Sequence, residues 1–435
     1  MKHASLITLG CKVNSFDTAV LWEGLEKKGY SVSDRLEPAD LYVINTCTVT
    51  NSANAQSRKL IRKVKKLSPH SLVVVTGCYA QVSPEEVSRV EGVDFIVGNG
   101  EKDSLLEIID KANPAMEQRV EVGDIFEQVS ISASRLDGFK GKTRAFLKVQ
   151  DGCEAFCTYC IIPYARGKSR SLSLEKVEAQ ARAMAESGFK EVVLTGIHLG
   201  GYGLDFSHDL ENRTNLLTLL KRLDKIDGDV RFRISSIEPT EIDDEMLEFL
   251  ISSEKICRHL HIPLQSGDDM ILNRMGRKYD APFYRSKIEK ICSSWEGVAI
   301  GIDIMAGFPG EDSASFKRSY ELVKSLPASY LHVFPYSKRD GTPAVKMDGH
   351  VEPLAIKERC ASLRELGDEM KDAFCRSQAG IRLNTLKIEG KGDFIKALSD
   401  NYIEIMIPSE NWRERAFADV RLTTIKDKVC FGELF

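Results

Sequence analysis

The stretch Asp151-Gly-Cys153-Glu-Ala-Phe-Cys157-Thr-Tyr-Cys160 decides how this chain is read. Its three cysteines, spaced C-x3-C-x2-C, follow a strand-like run, Ala145–Gln150. Thiolates packed this closely wrap one face of an iron–sulfur cube and hold three of its irons. The fourth iron then has no ligand from this loop and is open to a small molecule. Structural zinc is the rival, but it wants four closed ligands, usually as two separated pairs. The chain has no second C-x2-C pair.

Outward from the motif, a βα series runs to about Gly380. Its strand candidates are Ala145–Gln150, Glu191–Gly196, Val230–Ser235, His259–Gln265, Ala299–Met305 and Tyr330–Tyr336, with helical patterns such as Leu174–Ser187 and Asp312–Ser325 between them. Six such units predict an α/β fold with a partial (β/α)6 barrel rather than a full barrel of eight. Upstream, the apolar runs Ala4–Leu9, Leu41–Asn45, Leu72–Thr76 and Val93–Val97 alternate with amphipathic stretches such as Ser15–Lys28 and Asn51–Leu67. That alternation predicts an open parallel sheet. Downstream, Thr385–Glu389, Phe394–Leu398, Tyr402–Pro408, Val420–Ile425 and Val429–Leu434 are short strand-like runs separated by turn residues, which predicts a small antiparallel β-barrel. The expected domains are residues 1–113, a linker over 114–142, 143–372 and 373–435. The linker is punctuated by Asn113-Pro114, Gly138 and Gly141, with a short strand near Glu117–Val122.

The first domain carries a second cysteine pattern. Cys11 follows Ala4–Leu9 through Gly10, Cys47 follows Leu41–Asn45 through Thr46, and Cys78 follows Leu72–Thr76 through Gly77. Strand C-terminal ends of an open parallel sheet share one edge, where ligands bind. Three cysteines distant in sequence are therefore expected to meet and form a second iron–sulfur site. The other five of the 11 cysteines, Cys257, Cys292, Cys360, Cys375 and Cys430, are isolated and read as small apolar core residues.

The 435 residues carry 60 Lys+Arg against 64 Asp+Glu, a net charge of −4. The whole chain is no polycation, so any RNA contact must come from a local patch. No apolar run approaches the roughly 18 residues of a membrane helix. A signal-peptide h-region is absent from the N-terminus. A cytoplasmic protein without membrane partners is expected, and in a reducing compartment clustered cysteines mean metal or redox chemistry.

The C-x3-C-x2-C spacing resembles that of the radical S-adenosylmethionine superfamily. Two tri-cysteine sites followed by a small β-barrel resemble the radical methylthiotransferase family over nearly the whole chain. The motifs that carry the likeness are Leu9-Gly-Cys11-Lys-Val-Asn14, Asn45-Thr-Cys47-Thr, Thr76-Gly-Cys78-Tyr-Ala-Gln81 and Cys160-Ile-Ile-Pro163-Tyr-Ala-Arg166-Gly167. The resemblance implies two 4Fe–4S clusters, one held by Cys153, Cys157 and Cys160 and one by Cys11, Cys47 and Cys78. It also implies cleavage of S-adenosylmethionine to a deoxyadenosyl radical at the first cluster, and a methylated sulfur carried at the second. The last segment resembles the family's RNA-binding TRAM barrel. Of three branches, the Gly-Cys-Lys-Val-Asn start and Cys157-Thr-Tyr-Cys-Ile-Ile-Pro-Tyr-Ala-Arg-Gly are most similar to the one acting on N6-threonylcarbamoyladenosine at position 37 of tRNA, where carbon 2 of the adenine is the target. The others act on isopentenyladenosine in tRNA and on a ribosomal-protein aspartate. Implied partners are tRNA, S-adenosylmethionine, a flavodoxin- or ferredoxin-like electron donor and an unidentified sulfur donor. A non-enzymatic electron-transfer or RNA-binding module is the reading from another class, but simple electron transfer usually uses closed four-cysteine ligation.

Further candidates lie at strand C-terminal ends, where barrel enzymes place their chemistry. Tyr159, Thr195, Gly196, Ser236, Glu238, Gln265 and Asp303 are expected to contact S-adenosylmethionine. Each taken singly also fits turn or capping chemistry. The basic stretch Arg58–Lys66 offers Arg58 and Arg62 to RNA phosphates, and Arg166 and Arg170 follow the cysteine loop with the same role. From Ala373 onward, 10 Lys+Arg face 9 Asp+Glu. That near-neutral balance is a poor electrostatic platform for RNA, so either one barrel face collects the positive charge or the other domains hold the tRNA.

Overall fold

The computed structural model describes residues 1–112, 117–131, 143–206, 214–412 and 416–435. Strands β1 (His3–Thr8), β2 (Ser31–Ser33), β3 (Leu41–Thr46), β4 (Leu72–Gly77), β5 (Phe95–Val97) and β6 (Arg119–Glu121) form one parallel sheet in the order β2-β1-β3-β4-β5-β6. Central strands β3 and β4 are buried along their whole length. Their continuous apolar runs, Leu-Tyr-Val-Ile and Leu-Val-Val-Val, suit strands covered on both faces. One face packs Leu6, Val43 and Val74 under Leu21 and Leu25. The other packs Tyr42, Ile44 and Val75 under Ile61 and Val64. Strand β6 falls within the expected linker and extends the sheet; residues 114–116 and 132–142 of that segment, and residue 113 before it, lie outside the described residues. Edge strand β2, three mostly polar residues, gave no apolar run to read.

Strands β7 (Arg144–Lys148), β8 (Glu191–Thr195), β9 (Arg231–Ile234), β10 (His259–His261), β11 (Ala299–Ala306) and β12 (Tyr330–Pro335) form the central arc. Every pairing is parallel. Strands β9 and β10 meet only through isolated bridges, Phe232 with Ile256 and Ser236 with His261. Five helices of this unit are capped by Asn215, Asp243, Asp268, Asp280 and Asp312, each accepting a backbone N–H three residues on. Such caps satisfy donors that the first helical turn leaves unpaired. Alternation along the strands sends Val192, Leu194, Phe232, Leu260 and Ile302 outward into the apolar core. The opposite positions, including Arg144, Glu191, Arg233, His259, His261 and Asp303, make the interior polar.

The arc is open, and the first domain spans its two lips. Helix α1 (Lys12–Lys27) lies against β7, where Lys148 Nζ donates to Asp17 Oδ1 at 2.6 Å. At the other lip, Arg339, just past β12, donates to Thr48 Oγ1 and Asn51 Oδ1, both at 2.6 Å.

Strands β13 (Arg382–Lys391), β14 (Phe394–Ser399), β15 (Glu404–Pro408), β16 (Phe417–Lys426) and β17 (Val429–Leu434) close into a barrel in the order β13-β14-β15-β17-β16. Four seams are antiparallel. The fifth, β15 with β17, is parallel, because the β16–β17 hairpin brings β17 back in the direction of β15. This barrel floors the central arc. Arg231 donates to Leu398 O at 2.9 Å, Arg233 to Asp400 O at 2.9 Å, and Thr143 Oγ1 to Lys387 O at 2.8 Å. These contacts gather at strand N-terminal ends, opposite the end that carries the cysteine loop. No described helix is long and apolar enough to cross a membrane.

Candidate active site

The C-terminal edge of the first sheet gathers Cys11, Cys47 and Cys78. Gly10 has φ +102°, and a Cβ there would lie 2.7 Å from Cys47 Cβ, so the Cys11 and Cys47 loops touch. Gly77 has φ +97°, and its missing Cβ would strike Thr46 O at 2.4 Å. Only glycine fits either place. Side chains fasten the three loops together. Asn14 Nδ2 donates to Leu9 O at 2.8 Å and Thr46 O at 3.0 Å, and Thr46 Oγ1 donates to Thr76 O at 2.6 Å. Burial pushes the Cys47 thiol up to about 11, and the neighbouring Cys78 and Cys11 add to the rise. Cys11 opens to solvent at the rim; crowding by surrounding protein still raises its thiol, while Arg166 opposes the rise.

Cys153, Cys157 and Cys160 stand in one loop above β7. Gln150 fastens it: its Nε2 donates to Gly152 O at 2.7 Å and Ser169 Oγ at 3.0 Å, and its Oε1 accepts from His198 N at 2.8 Å. Arg277 donates to Cys157 Sγ at 3.3 Å and pairs with Glu238. Burial pushes the Cys160 thiol up to about 12, and Cys157 and Cys153 add to it. Glu238 is raised, first by burial, with Arg277 pulling it down.

Arg166 joins the two sites. Its Nε donates to Cys78 Sγ at 3.4 Å; another nitrogen donates to Asp17 Oδ2 and Asp151 Oδ2, both at 3.1 Å; the third reaches Asn14 Oδ1. Asp17 is held well below the usual carboxylate range: burial alone would raise it, but Lys102, Lys148 and Arg166 overcome that. Asn99 adds a second tie, donating to Ala165 O at 2.7 Å and Cys78 Sγ at 3.8 Å.

The placement corrects part of the RNA reading. Arg166 is 1 % exposed and Arg170 is 7 % exposed, and Arg170 donates to Arg166 O at 2.6 Å. Arg166 is an internal tie rather than a phosphate contact, because Asp17, Asp151 and Asn14 take its donors; Arg170 is buried beside it, with its Nε unpartnered among the described residues. Arg58, on helix α2 (Asn51–Leu67), donates to Tyr79 Oη at 2.7 Å and faces Glu86 at 3.5 Å; Arg62 on the same helix is exposed.

The remaining candidates spread over the rim. Tyr159 packs edge-on against Phe308. Thr195 is buried, with its carbonyl accepting from Val149 N at 3.0 Å, and Gly196 leaves room for Gln150. Ser236 is exposed at the top of β9. Gln265 holds φ +67° and donates through its N–H to Asp303 O at 2.9 Å. Asp303 is held low by His261 at 2.8 Å and His332 at 3.4 Å, against a burial effect that would raise it.

Sequence reasoning missed Gln150, Arg277, Asp17 and Lys148, whose partners are remote in the chain. It quoted Lys12 only as part of a motif. Lys12 is half-buried at the start of helix α1. Crowding lowers it to about 8; Arg144 and Arg233 lower it further, and Glu191 and Asp303 oppose them.

The donor chemistry of both tri-cysteine sites fits a cationic cluster. Burial and neighbouring thiols disfavour ionisation of Cys11 and Cys47 in one and of Cys160 in the other, and a metal centre supplies the positive charge that deprotonates such thiols.

Two family models match the chain: an uncharacterised protein family, UPF0004, over residues 3–98, and the radical SAM superfamily over residues 147–323. A threonylcarbamoyladenosine tRNA methylthiotransferase, MtaB, of Bacillus subtilis is 40% identical over 412 residues, covering 93% of this chain and 90% of its own. The Aquifex aeolicus protein of the same name is 42% identical over 399 residues, covering 92% and 95%. Among solved structures, the radical S-adenosylmethionine methyltransferase TsrM from Kitasatospora setae, with cobalamin and a 4Fe–4S cluster bound, aligns at TM-score 0.58 and 17% identity, covering 79% of this chain and 77% of that one. That last likeness is one of fold.

Proposed function

The chain belongs to the radical S-adenosylmethionine methylthiotransferase family, and from that premise we propose that it adds a methylthio group to carbon 2 of N6-threonylcarbamoyladenosine at position 37 of tRNA. The family uses S-adenosylmethionine and 4Fe–4S clusters. In this reading Cys153, Cys157 and Cys160 hold one cluster, and Cys11, Cys47 and Cys78 hold the other. When bound, they supply reductive cleavage of S-adenosylmethionine and a site for the transferable sulfur.

The protein's own part is positioning. Gln150 fixes the cysteine loop, and Arg277 sets Cys157 beside Glu238. Glu238, Ser236, Thr195, Gly196, Gln265, Asp303 and Tyr159 ring the space where S-adenosylmethionine would lie. The C-terminal barrel closes the floor and keeps bulk water from the far end; Tyr402 stacks on His259 at 4.4 Å there. Exposed Arg62 on helix α2 is offered to tRNA phosphates in this reading, with Arg58, which also holds Tyr79 and Glu86, on the same helix. Electrons come from a flavodoxin- or ferredoxin-like donor in this proposal.

One observation carries the reading. Two tri-cysteine edges from different domains are tied across a polar chamber by one buried guanidinium, that of Arg166. Such an arrangement presents two cofactors to one substrate. The test is mass spectrometry of nucleosides from tRNA incubated anaerobically with reconstituted enzyme, reductant and S-adenosylmethionine. A methylthio adduct on threonylcarbamoyladenosine is expected. An adduct on isopentenyladenosine alone, or deoxyadenosine release with no modified nucleoside, overturns the assignment.

A further inference from the structure

We propose that the inner face of strand β12 is a stacking platform for the target purine of the RNA, with His332 and Phe334 as its contact rings, an inference that rests on the nucleoside substrate proposed above. Alternation along β12 packs Leu331 and Val333 against the apolar core and turns Tyr330, His332 and Phe334 toward the chamber of the central arc. The chamber therefore has two unlike walls. Arg144, Glu191 and Arg233 make the β7–β9 side ionic. Aromatic rings line the β10–β12 side.

These rings are graded from floor to rim. At the floor Tyr330 lies within 2° of parallel to His259 and within 29° of Tyr402, with centroids 6.0 and 5.9 Å away. Its hydroxyl is hydrogen-bonded to His259 Nε2 at 2.8 Å and to His261 Nδ1 at 3.3 Å. A glycine makes room for this ring: a Cβ on Gly301 would lie 2.2 Å from it. The next ring, His332, sits 4.8 Å from His261 and 5.2 Å from Tyr330. Asp303, its register partner on β11, pairs with it at 3.4 Å. Nearest the rim, Phe334 stands edge-on to His332 at 6.4 Å.

Exposure separates the two ends of this ladder. His259 is 2 % exposed, whereas the His332 side chain is 53 % and Phe334 39 % exposed. Two rings turned inward yet left open offer their faces to a planar ligand. A base lying flat on one of them meets the other edge-on, and stacked and edge-on pairs are the arrangements that aromatic rings favour. A purine is the planar group this chamber has to receive, because a base must leave its stack before an enclosed site can act on it. Asp303 is among the residues proposed above to ring S-adenosylmethionine, so a base on His332 lies beside the molecule that must react with it. Stacking reads the flat face of a base and not its edge. The platform thus fixes where the purine lies and leaves its substituents to other groups.

The test measures binding of two anticodon stem–loop RNAs to cluster-reconstituted protein, one with adenosine at the target position and one abasic there. The wild-type chain is expected to bind the first more tightly. His332→Ala and Phe334→Leu should each weaken the adenosine RNA by about tenfold, the scale of a lost base–aromatic stack, and leave the abasic RNA unaffected. Phe334→Tyr should restore the wild-type affinity. Iron content and melting temperature report the fold, and if His332→Ala folds poorly the two Phe334 variants carry the test. Equal weakening of both RNAs, or of neither, overturns the proposal. So does loss of S-adenosylmethionine binding in equilibrium dialysis with RNA binding intact, which would give the rings to that molecule's adenine. A wild-type chain that prefers the adenosine RNA yet forms no methylthio product on a stem–loop carrying threonylcarbamoyladenosine overturns the substrate assignment instead and leaves the platform standing.

Discussion

Cys153, Cys157 and Cys160 stand in one short loop, whereas Cys11, Cys47 and Cys78 arrive from three strand ends spread between residues 11 and 78. The first site needs little beyond a loop held by Gln150 and Ser169. The second needs the sheet order β1-β3-β4 in correct register, plus Asn14 and Thr46 to lash the ends together. A contiguous site is thus a local property of sequence, and an assembled site is a property of topology. Their dependence on the rest of the molecule should differ accordingly, and each comparison below probes that difference.

The largest effect comes from removing one site at a time. Replacing Cys153, Cys157 and Cys160 together by Ala should lower reconstituted iron from about eight to about four per chain. It should also abolish both deoxyadenosine release and methylthio transfer. Replacing Cys11, Cys47 and Cys78 together should lower iron by the same amount and stop transfer, yet leave deoxyadenosine release measurable. Iron analysis and chromatography of the products separate the two. If the second triple variant keeps full iron, those cysteines are core residues and the comparison between two sites collapses.

Much of this was legible in the sequence. Helix α2 was read at its observed bounds, and five of the six central strands were read to within a residue or two at each end. The exception, β10, was read too long: His259–His261 is strand, and the chain then leaves the ladder toward Gln265, which sits at positive φ. Apolar runs ending in Gly-Cys or Thr-Cys gave the cysteine edge because period and punctuation are local signals. Arg166 was misread for the opposite reason. In sequence it is one of several basic residues after the loop; in the fold it is buried among Asp17, Asp151 and Asn14. No periodicity announces an ion pair between residues some 150 apart. The parallel closing seam of the C-terminal barrel was hidden too, since strand direction depends on which edge a hairpin returns to.

The next effect is smaller and strikes both sites at once. Arg166→Met leaves Asp17 to Lys102 and Lys148, and Asp151 to Lys148 at 3.4 Å, so the loss should approach but not exceed the about 3–5 kcal/mol of a fully broken buried ion pair. The pH dependence follows from Asp17. Its folded pKa lies below its unfolded value of about 3.9, so its stabilisation is complete at neutral pH and lost as pH falls through the folded value. Without Arg166 that folded value climbs, and acid unfolding should begin at higher pH than in the wild type. Melting curves across the acid range check this. An unchanged acid limb would show that Lys102 and Lys148 hold Asp17 without help.

The smallest effect isolates the spacing between the sites from the integrity of either. Asn99 touches both: its amide donates to Ala165 O beside the cysteine loop and to Cys78 Sγ on the sheet edge. Asn99→Ala removes about 1 kcal/mol of hydrogen bonding and no cysteine. Iron should stay full and deoxyadenosine release should be close to wild type, because each site keeps its own loop. Methylthio transfer alone should slow, by about tenfold, since transfer needs both sites at a fixed separation and loosened geometry is costly in such steps. Equal slowing of release and transfer would mean that the two sites are one mechanical unit. Undiminished transfer would mean that Arg166 alone sets their separation, which would make the assembled site far less dependent on its neighbours than its topology implies.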